Sequence, residues 1–407
     1  MLWRRRSILP ANARRHEPEM TKRIGFLVSH PIQYYAPIFR ELAKRCDLTV
    51  FFAHRQTAEQ QARAGFDVAF EWNIDLLSGY DSRYLENVAP QPSTDRYSGC
   101  NTPGVVDEIG RGKFDAFVVP GWALRSYWQA VQACRRFRVP VLVRGDSQLG
   151  GPRSIALRIA KAAVFPRLLH LFDGFLYVGQ RNREYLLRYG APADRMFFSP
   201  ACVDNDAFAT ASAEARRRNP VSHQPERPRR VLFVGKLIAR KRPADLVNAV
   251  AKLRNRRVEV VFAGSGALAV ALSRIAAEAN VQAEFLGFVN QSELPAVYAS
   301  ADLLVLPSDY DETWGLVVNE AMACGVPAVV SDAVGCGPDL IDPGVTGATF
   351  PRGDVAALAI AIDSALSLDV ERTRRHLAAK MALYSPDRAA GAVVDAATTL
   401  RGDGQLH

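Results

Sequence analysis

No apolar run in this 407-residue chain approaches the length of a membrane span, so insertion across a bilayer is not expected. Cysteine is scarce as well. Its six copies, Cys46, Cys100, Cys134, Cys202, Cys324 and Cys336, are scattered without a Cys-x-x-Cys pair. That spacing argues against a disulfide frame or a zinc site and suits reduced thiols in a cytoplasm. Helix-turn-helix, zinc-finger and aromatic RNA-binding signatures are absent, which leaves the net charge of +9 without a nucleic-acid reading. The excess comes from dispersed arginine-rich runs at 216–218, 227–230 and 254–257. These read as solvated faces, with an anionic membrane surface as the second reading. The basic cluster Arg4-Arg5-Arg6 is not followed by an apolar core segment, so no signal peptide is expected. Residues 1–20 are read as a disordered arm or as a start placed too early, because Met20 stands just before the first strand pattern.

What remains is a chain made for packed cores. Hydrophobic content of 48% is ample, and the length exceeds one typical core, so two domains are expected. From Ile24 short apolar runs alternate with helical patterns. Strands are expected at 24–28, 48–53, 116–119, 141–143 and 174–178, with helices at 36–45, 127–137, 153–171 and 181–189. Such alternation implies a parallel sheet covered on both faces. Between Thr57 and Thr102 the rhythm fails, and that segment reads as an insertion near the binding face. The helix carrying Arg153, Arg158, Lys161 and Arg167 reads as core packing with a basic outer face, membrane contact being the alternative. Residues 208–230, rich in Arg, Ala and Pro, read as a linker. A second alternating series then begins, with strands at 231–234, 258–262, 284–286 and 303–306 and helices at 244–253, 267–279 and 292–299. Ser385-Pro386-Asp387 reads as an N-cap and first-turn proline of a last helix.

The most informative stretch is Leu303 to Gly325. Leu303 to Leu306 is a buried-strand pattern, and Pro307-Ser308-Asp309 breaks it. Thr313 is read as the N-cap of a helix running through Met322, ended by Gly325 and Pro327. Glu312 sits before that helix and Glu320 within it. A helix N-terminus after a strand suits an anionic ligand, and a carboxylate beside it suits sugar hydroxyls. Each acid alone reads as an ordinary surface residue; the pair at this interval, at a strand's carboxyl end, points to a site.

This segment, Glu312-Thr-Trp-Gly-Leu-Val-Val-Asn-Glu320-Ala-Met-Ala-Cys-Gly-Val-Pro327, resembles the signature of glycosyltransferase family 4 (glycosyl transferases group 1). The resemblance implies an α/β GT-B fold: two doubly wound Rossmann-like domains facing a central cleft, the C-terminal helix crossing back to the first. It implies retaining transfer from a nucleotide diphosphate sugar, with no cofactor and no bound metal. A second constellation, Gly235-Lys236-Leu-Ile-Ala-Arg-Lys241, follows the first strand of the second domain. Two ammonium groups there would clamp a pyrophosphate. The family places an Arg and a Lys at this interval, so Lys236 is a departure that gives up bidentate binding. Arg240 and Arg242 read as solvent-exposed. Gly264-Ser265-Gly266 fits a turn as well as a phosphate loop, and Gly335-Cys336-Gly337-Pro338-Asp339 fits the family's donor pocket.

The first domain departs further. Where family members carry a His-Asp pair, this chain has Arg144-Gly145-Asp146, so a catalytic histidine is not carried over. Ser29-His30-Pro31-Ile32-Gln33-Tyr34-Tyr35 replaces a glycine-rich turn. His30 reads either as a proton carrier or as structural.

The resulting assignment is a cytoplasmic hexosyltransferase, peripheral to the inner membrane face on the second reading of its charge. It uses a nucleotide sugar and a glycan or lipid-linked acceptor. The alternatives are an inactive sugar-nucleotide-binding protein and a GT-B sugar-nucleotide epimerase. Lys241 and Glu312 are the expected catalytic residues. Lys236, Lys241, Glu312, Trp314, Gly315, Leu316 and Glu320 are assigned to the donor. His30, Tyr34, Tyr35, Trp122, Arg144 and Asp146 are assigned to the acceptor side, because they follow carboxyl ends of first-domain strands. The expected boundaries are 21–207, a linker at 208–230, 231–384 and a crossover helix with tail at 385–407.

Overall fold

Apolar tetrads and hexads that are buried on both faces form central strands, and the amphipathic segments between them fold back as helices. The computed structural model describes residues 22–61, 70–151, 155–219, 227–253 and 257–404. The expected N-terminal arm, Arg153 and most of the 254–257 run lie outside these residues. In the first domain the elements run β1 (Arg23–Val28), α1 (Ala36–Ala43), β2 (Asp47–Phe52), α2 (Ala58–Gln61), β3 (Asp81–Tyr84), α3 (Val105–Gly112) and β4 (Ala116–Val119). They continue with α4 (Arg125–Phe137), β5 (Val141–Gly145), α5 (Ile155–Leu169), β6 (Gly174–Tyr177), α6 (Gln180–Arg188) and β7 (Met196–Phe198). The strands form one parallel sheet in the order β3-β2-β1-β4-β5-β6-β7. Part of the irregular 57–102 segment thus belongs to the sheet. Its strand β3 is a half-exposed edge of polar residues, which is why no apolar pattern marks it.

The next element corrects the expected linker. Asn205–Arg218 is a helix, α7, and the Asp204 side chain caps it by accepting from the Ala207 N–H at 3.1 Å. A cap of this kind contributes about 1 kcal/mol. Phe208 from α7 packs into the second domain's core with Tyr298 and Met322. Of the expected linker, residues 219 and 227–228 belong to no helix or strand, and 220–226 fall outside the described residues.

The second domain follows as β8 (Arg229–Val234), α8 (Pro243–Val250), β9 (Val258–Ala263), α9 (Ala269–Glu278), β10 (Gln282–Gly287), α10 (Leu294–Ser300) and β11 (Leu303–Leu306). Then come α11 (Leu316–Ala323), β12 (Ala328–Ser331), α12 (Gly337–Leu340), β13 (Gly347–Phe350), α13 (Val355–Ala365), α14 (Val370–Leu383) and α15 (Pro386–Gly404). Its parallel sheet has the order β10-β9-β8-β11-β12-β13.

Helix α15 leaves the second domain and lies on the first. Its Ala389, Ala390, Val393, Ala396 and Ala397 are fully buried in one core with Ile24, Phe26, Val28 and Phe39. Small side chains let the helix axis come close to the sheet. All six cysteines are buried and unpaired, packed as small apolar groups. Among the described residues no helix is long and apolar enough to cross a membrane.

Candidate active site

Each sheet reverses its winding once, between β1 and β4 in the first domain and between β8 and β11 in the second. Loops leaving the carboxyl ends of those strands diverge and leave a crevice, the usual ligand position of open α/β sheets. The loops concerned are 29–35, 120–124, 235–242 and 307–315.

On the second domain the crevice floor is backbone. Gly264, at φ +154°, lies so near Gly235 that a Cβ would sit 1.9 Å from the Gly235 carbonyl oxygen. Only glycine accepts both that conformation and that approach. Leu237 N–H donates to the Ser265 carbonyl at 2.8 Å, tying the two loops together. Above this floor Lys241 Nζ donates to Glu312 Oε2 in an ion pair, the side chains only 13% and 14% exposed. Glu312 in turn lies near enough to Tyr34 of the first domain for its charge to help push that phenol well above the usual range. The main cause there is burial, followed by Glu320.

Helix α11 does not begin as expected. Gly315, at φ +103°, occupies the N-cap position, and Thr313 caps nothing in α11. The left-handed turn at Gly315 interrupts the run that a threonine cap requires. The Thr313 hydroxyl instead donates to Asp146 Oδ2 across the cleft at 2.7 Å. Trp314 is buried; its indole N–H donates to Asn319 Oδ1 at 2.8 Å, and its ring lies against Gly179 of the first domain. Gly335 N–H donates to the Glu312 carbonyl and Cys336 N–H to that of Trp314, so 335–336 brace this loop from behind.

A cavity of about 280 Å³ joins the two sides, lined by Tyr34, Tyr35, Arg144, Gly145 and Asp146 from the first domain and Trp314 and Leu316 from the second. The structure therefore brings together four of the acceptor-side residues and two donor-side residues. His30 and Trp122 do not line it. The His30 ring contacts Ser29 Oγ at 2.9 Å, and burial, followed by the His54 charge, lowers its pKa to about 4, so it is neutral at pH 7. Trp122 packs against Phe165 and Tyr185. Arg144 is buried, donating to Ser199 Oγ at 3.1 Å and to the Pro200 carbonyl at 2.8 Å, with its plane over Tyr35; it does not pair with Asp146. At Gly145 an added Cβ would meet nothing within 4 Å, so space does not exclude a larger residue there. Lys161 of α5 turns onto the rings of Phe165, Tyr185 and Tyr189, while Ile159 and Val164 are exposed.

Glu320 departs most from expectation. It is fully buried. Its carboxylate accepts from Tyr298 Oη at 2.7 Å, Gln291 Nε2 at 3.2 Å and Tyr34 Oη at 3.2 Å, so it forms a polar core bridging the two domains rather than a rim of the cleft. Residues unmarked by any motif close the interface. Gln148 Nε2 reaches the carbonyls of Tyr310 and Glu312 at 2.9 and 3.1 Å, and Arg181 donates to those of Asp332 and Ala333 at 2.5 and 3.1 Å. The position of Gln148 just after a strand's carboxyl end was the one signal for it. An Asp-x-Asp spacing, Asp309-Tyr310-Asp311, does follow β11, which the metal-free expectation leaves out of account. Asp309 is engaged by Arg352 at 3.0 Å and Arg242 at 3.8 Å, so Arg242 is not simply solvated. Among the described residues no group of three or more His, Cys, Asp or Glu could hold a metal.

Comparison with known proteins bears on the second domain's sequence and on the fold of both domains. Residues 215–382 match the family model described as Glycosyl transferases group 1. A D-inositol 3-phosphate glycosyltransferase of Mycobacterium sp. (strain JLS) is 38% identical over 188 residues, 45% of this chain and 42% of that protein. The aligned part thus spans less than half of that relative. Solved structures match across both domains. A glycosyltransferase from Rickettsia africae has TM-score 0.68 at 13% identity, covering 94% of this chain and 99% of that one. An Anabaena protein in complex with UDP and glucose has TM-score 0.61 at 17% identity, covering 95% and 99%. The two facing parallel-sheet domains with a returning last helix are the GT-B fold.

The Glu320 environment has a thermodynamic consequence. Burial raises its pKa to about 6 despite three donors that lower it, led by Tyr298. The unfolded value is about 4.3, so folding favours the protonated form. That contribution is fully present below about pH 4.3 and is lost as pH rises through 6. Relative to Glu320→Gln, the wild-type chain should lose about 2 kcal/mol of stability between pH 4.3 and 7. Denaturant melts of both proteins across that range measure the difference; His30, which titrates with the opposite sign, cancels in it. A difference independent of pH would contradict the buried-carboxylate account.

Proposed function

We propose that the chain is a retaining, metal-independent glycosyltransferase that moves a hexose from a nucleotide diphosphate sugar to a glycan or lipid-linked acceptor. The observation that carries this reading is the Lys241–Glu312 ion pair, held at the cleft between the glycine floor and the start of α11. The family match of residues 215–382 supports the donor half, and the neighbour bound to UDP and glucose supports a nucleotide sugar as its ligand.

In this mechanism Glu312 keeps Lys241 ordered, ready for a diphosphate. Transfer breaks the bond between the anomeric carbon and the diphosphate oxygen. It forms the bond to the acceptor oxygen on the same face, and the acceptor proton leaves on the departing phosphate. Lys241, with Lys236 on the same loop, stabilises the charge gathering on that leaving group. An ammonium in a water-poor site does this well because its partner charge is already oriented. Glu312 accepts hydrogen bonds from sugar hydroxyls as the lysine turns to the phosphate. Asp146, Tyr34 and Tyr35 face the acceptor, where aromatic faces and a carboxylate suit a sugar ring. Glu320 supports the donor site from below by holding Tyr34 and Tyr298 in place.

On this reading the enzyme is cytoplasmic and meets a lipid-linked acceptor at the inner membrane face, through Ile159 and Val164 of α5, which are 65% and 59% exposed.

Three measurements test the proposal. Glu312→Ala and Lys241→Ala should each lower kcat by roughly a hundredfold or more with donor affinity reduced far less. Near-normal turnover in either removes that residue from catalysis, and a folded wild-type chain that turns over no nucleotide sugar with any acceptor favours a binding protein. Transfer should persist in excess chelator; complete loss restored by magnesium would reassign the charge stabilisation to a metal. Ile159→Asp should abolish co-sedimentation with anionic vesicles; unchanged binding would move the membrane contact elsewhere.

A further inference from the structure

At the amino-end edge of the second sheet, away from the cleft, lies a cavity of about 280 Å³ whose charge is unbalanced. Arg216 of α7, Arg227 and Arg229 at the entry to β8, and Arg374 of α14 line it. Among its lining residues Asp302 is the one carboxylate, and its lone pairs are already taken. It accepts from Arg227 at 2.8 and 2.9 Å, from Arg229 at 3.1 Å and from the Arg230 N–H at 2.7 Å.

The other two guanidinium groups are left incompletely satisfied. Arg216 donates through Nη2 to the Cys324 carbonyl at the end of α11, but its Nε is buried with no acceptor. Arg374 reaches Glu371 at 3.3 Å, an acid 79% exposed, and its Nε is likewise buried with no acceptor. Burial, together with the like charge of Arg374, holds the Arg216 guanidinium below its usual range. A surface arginine with a water-facing partner needs no explanation. Two guanidinium groups of like charge on one open cavity, whose single lining carboxylate is already taken, are unfavourable unless an anion enters.

We propose that this cavity is a binding site for a phosphate-bearing small molecule, its oxygens accepting from Arg216 and Arg374. A guanidinium fork matches phosphate geometry, and two forks of like charge are reconciled by one dianion between them. The remaining wall is apolar, with Pro327, Leu366, Leu368 and Val370, and the cavity is larger than a phosphate group alone, which leaves room for a short organic body. The occupant would be felt at the cleft. Arg216 grips the carboxyl end of α11, and the first residue of the same helix, Leu316, lines the interdomain cavity.

The test uses the full chain carrying Lys241→Ala, so that phosphate cannot bind through that lysine in the cleft. Inorganic phosphate and glycerol 3-phosphate are titrated by calorimetry and thermal shift. Both should bind and raise the melting temperature. Arg374→Gln should weaken binding at least about tenfold, Arg374→Lys should recover part of it, and Arg217→Gln should change nothing, since Arg217 leaves the same helix toward solvent. Arg216→Gln serves only if it folds, because it also removes the anchor on Cys324. Tighter binding of glycerol 3-phosphate than of phosphate identifies an organic phosphate as the occupant, and equal affinity identifies the free ion. Absence of binding, equal binding by Arg374→Gln, or an equal loss in Arg217→Gln would overturn the site.

Discussion

Parallel strands must be joined by crossovers of one hand, and a sheet covered on both faces must reverse its winding once. That constraint places everything of chemical interest in this chain. In each domain the reversal parts two loops at the carboxyl edge, and the two edges face one another. Lys241 and Glu312 come from the loops either side of the second reversal, Tyr34 and Tyr35 from one side of the first. No local motif could bring these loops together, because even Lys241 and Glu312 lie 71 residues apart and meet only through sheet order.

Within that frame the cleft is held by polar contacts of two kinds. Hydrogen bonds from Gln148 and Arg181 go to backbone carbonyls, which fix position without demanding a particular side chain opposite. Side chain to side chain bonds, Asp146 with Thr313 and Tyr34 with Glu320, instead require a particular partner opposite. These polar contacts run beside an apolar seam, in which Val178, Ala201 and Val203 of the first domain share a buried core with Trp314, Val318 and Leu340 of the second.

The alternation of strands and helices was legible because buried parallel strands are short apolar runs with no competing reading. The fold followed from it, and so did the position of Lys241 and Glu312 at a carboxyl edge. Helix α7 was missed because Asn205–Arg218 is polar and alanine-rich, so its evidence lay in helix propensity and the Asp204 cap, not in apolar periodicity. Strand β3 has no apolar alternation because it is an edge. Thr313 was misread as a cap because a threonine before an apolar run is the ordinary signal, and the left-handed Gly315 that cancels it leaves no separate mark in composition. Glu320 reads as a cleft residue in the sequence because burial of its carboxylate depends on Tyr34 in the first domain and on Gln291 and Tyr298 around α10, donors that no local pattern announces.

Helix α15 carries one more implication, for the order in which this protein can be made. One face of the first sheet is covered in part by Ala389, Ala390, Val393, Ala396 and Ala397, residues made only after every strand of the second sheet. A growing chain normally completes its N-terminal domain first. Here the first domain must wait, with Ile24, Phe26 and Val28 covered by Ile38 and Phe39 but lacking the α15 side chains until the second sheet has been made. During synthesis that half-covered sheet face is a natural client surface for a holding chaperone, and the second sheet, made before α15 appears, is the part that can fold ahead of it.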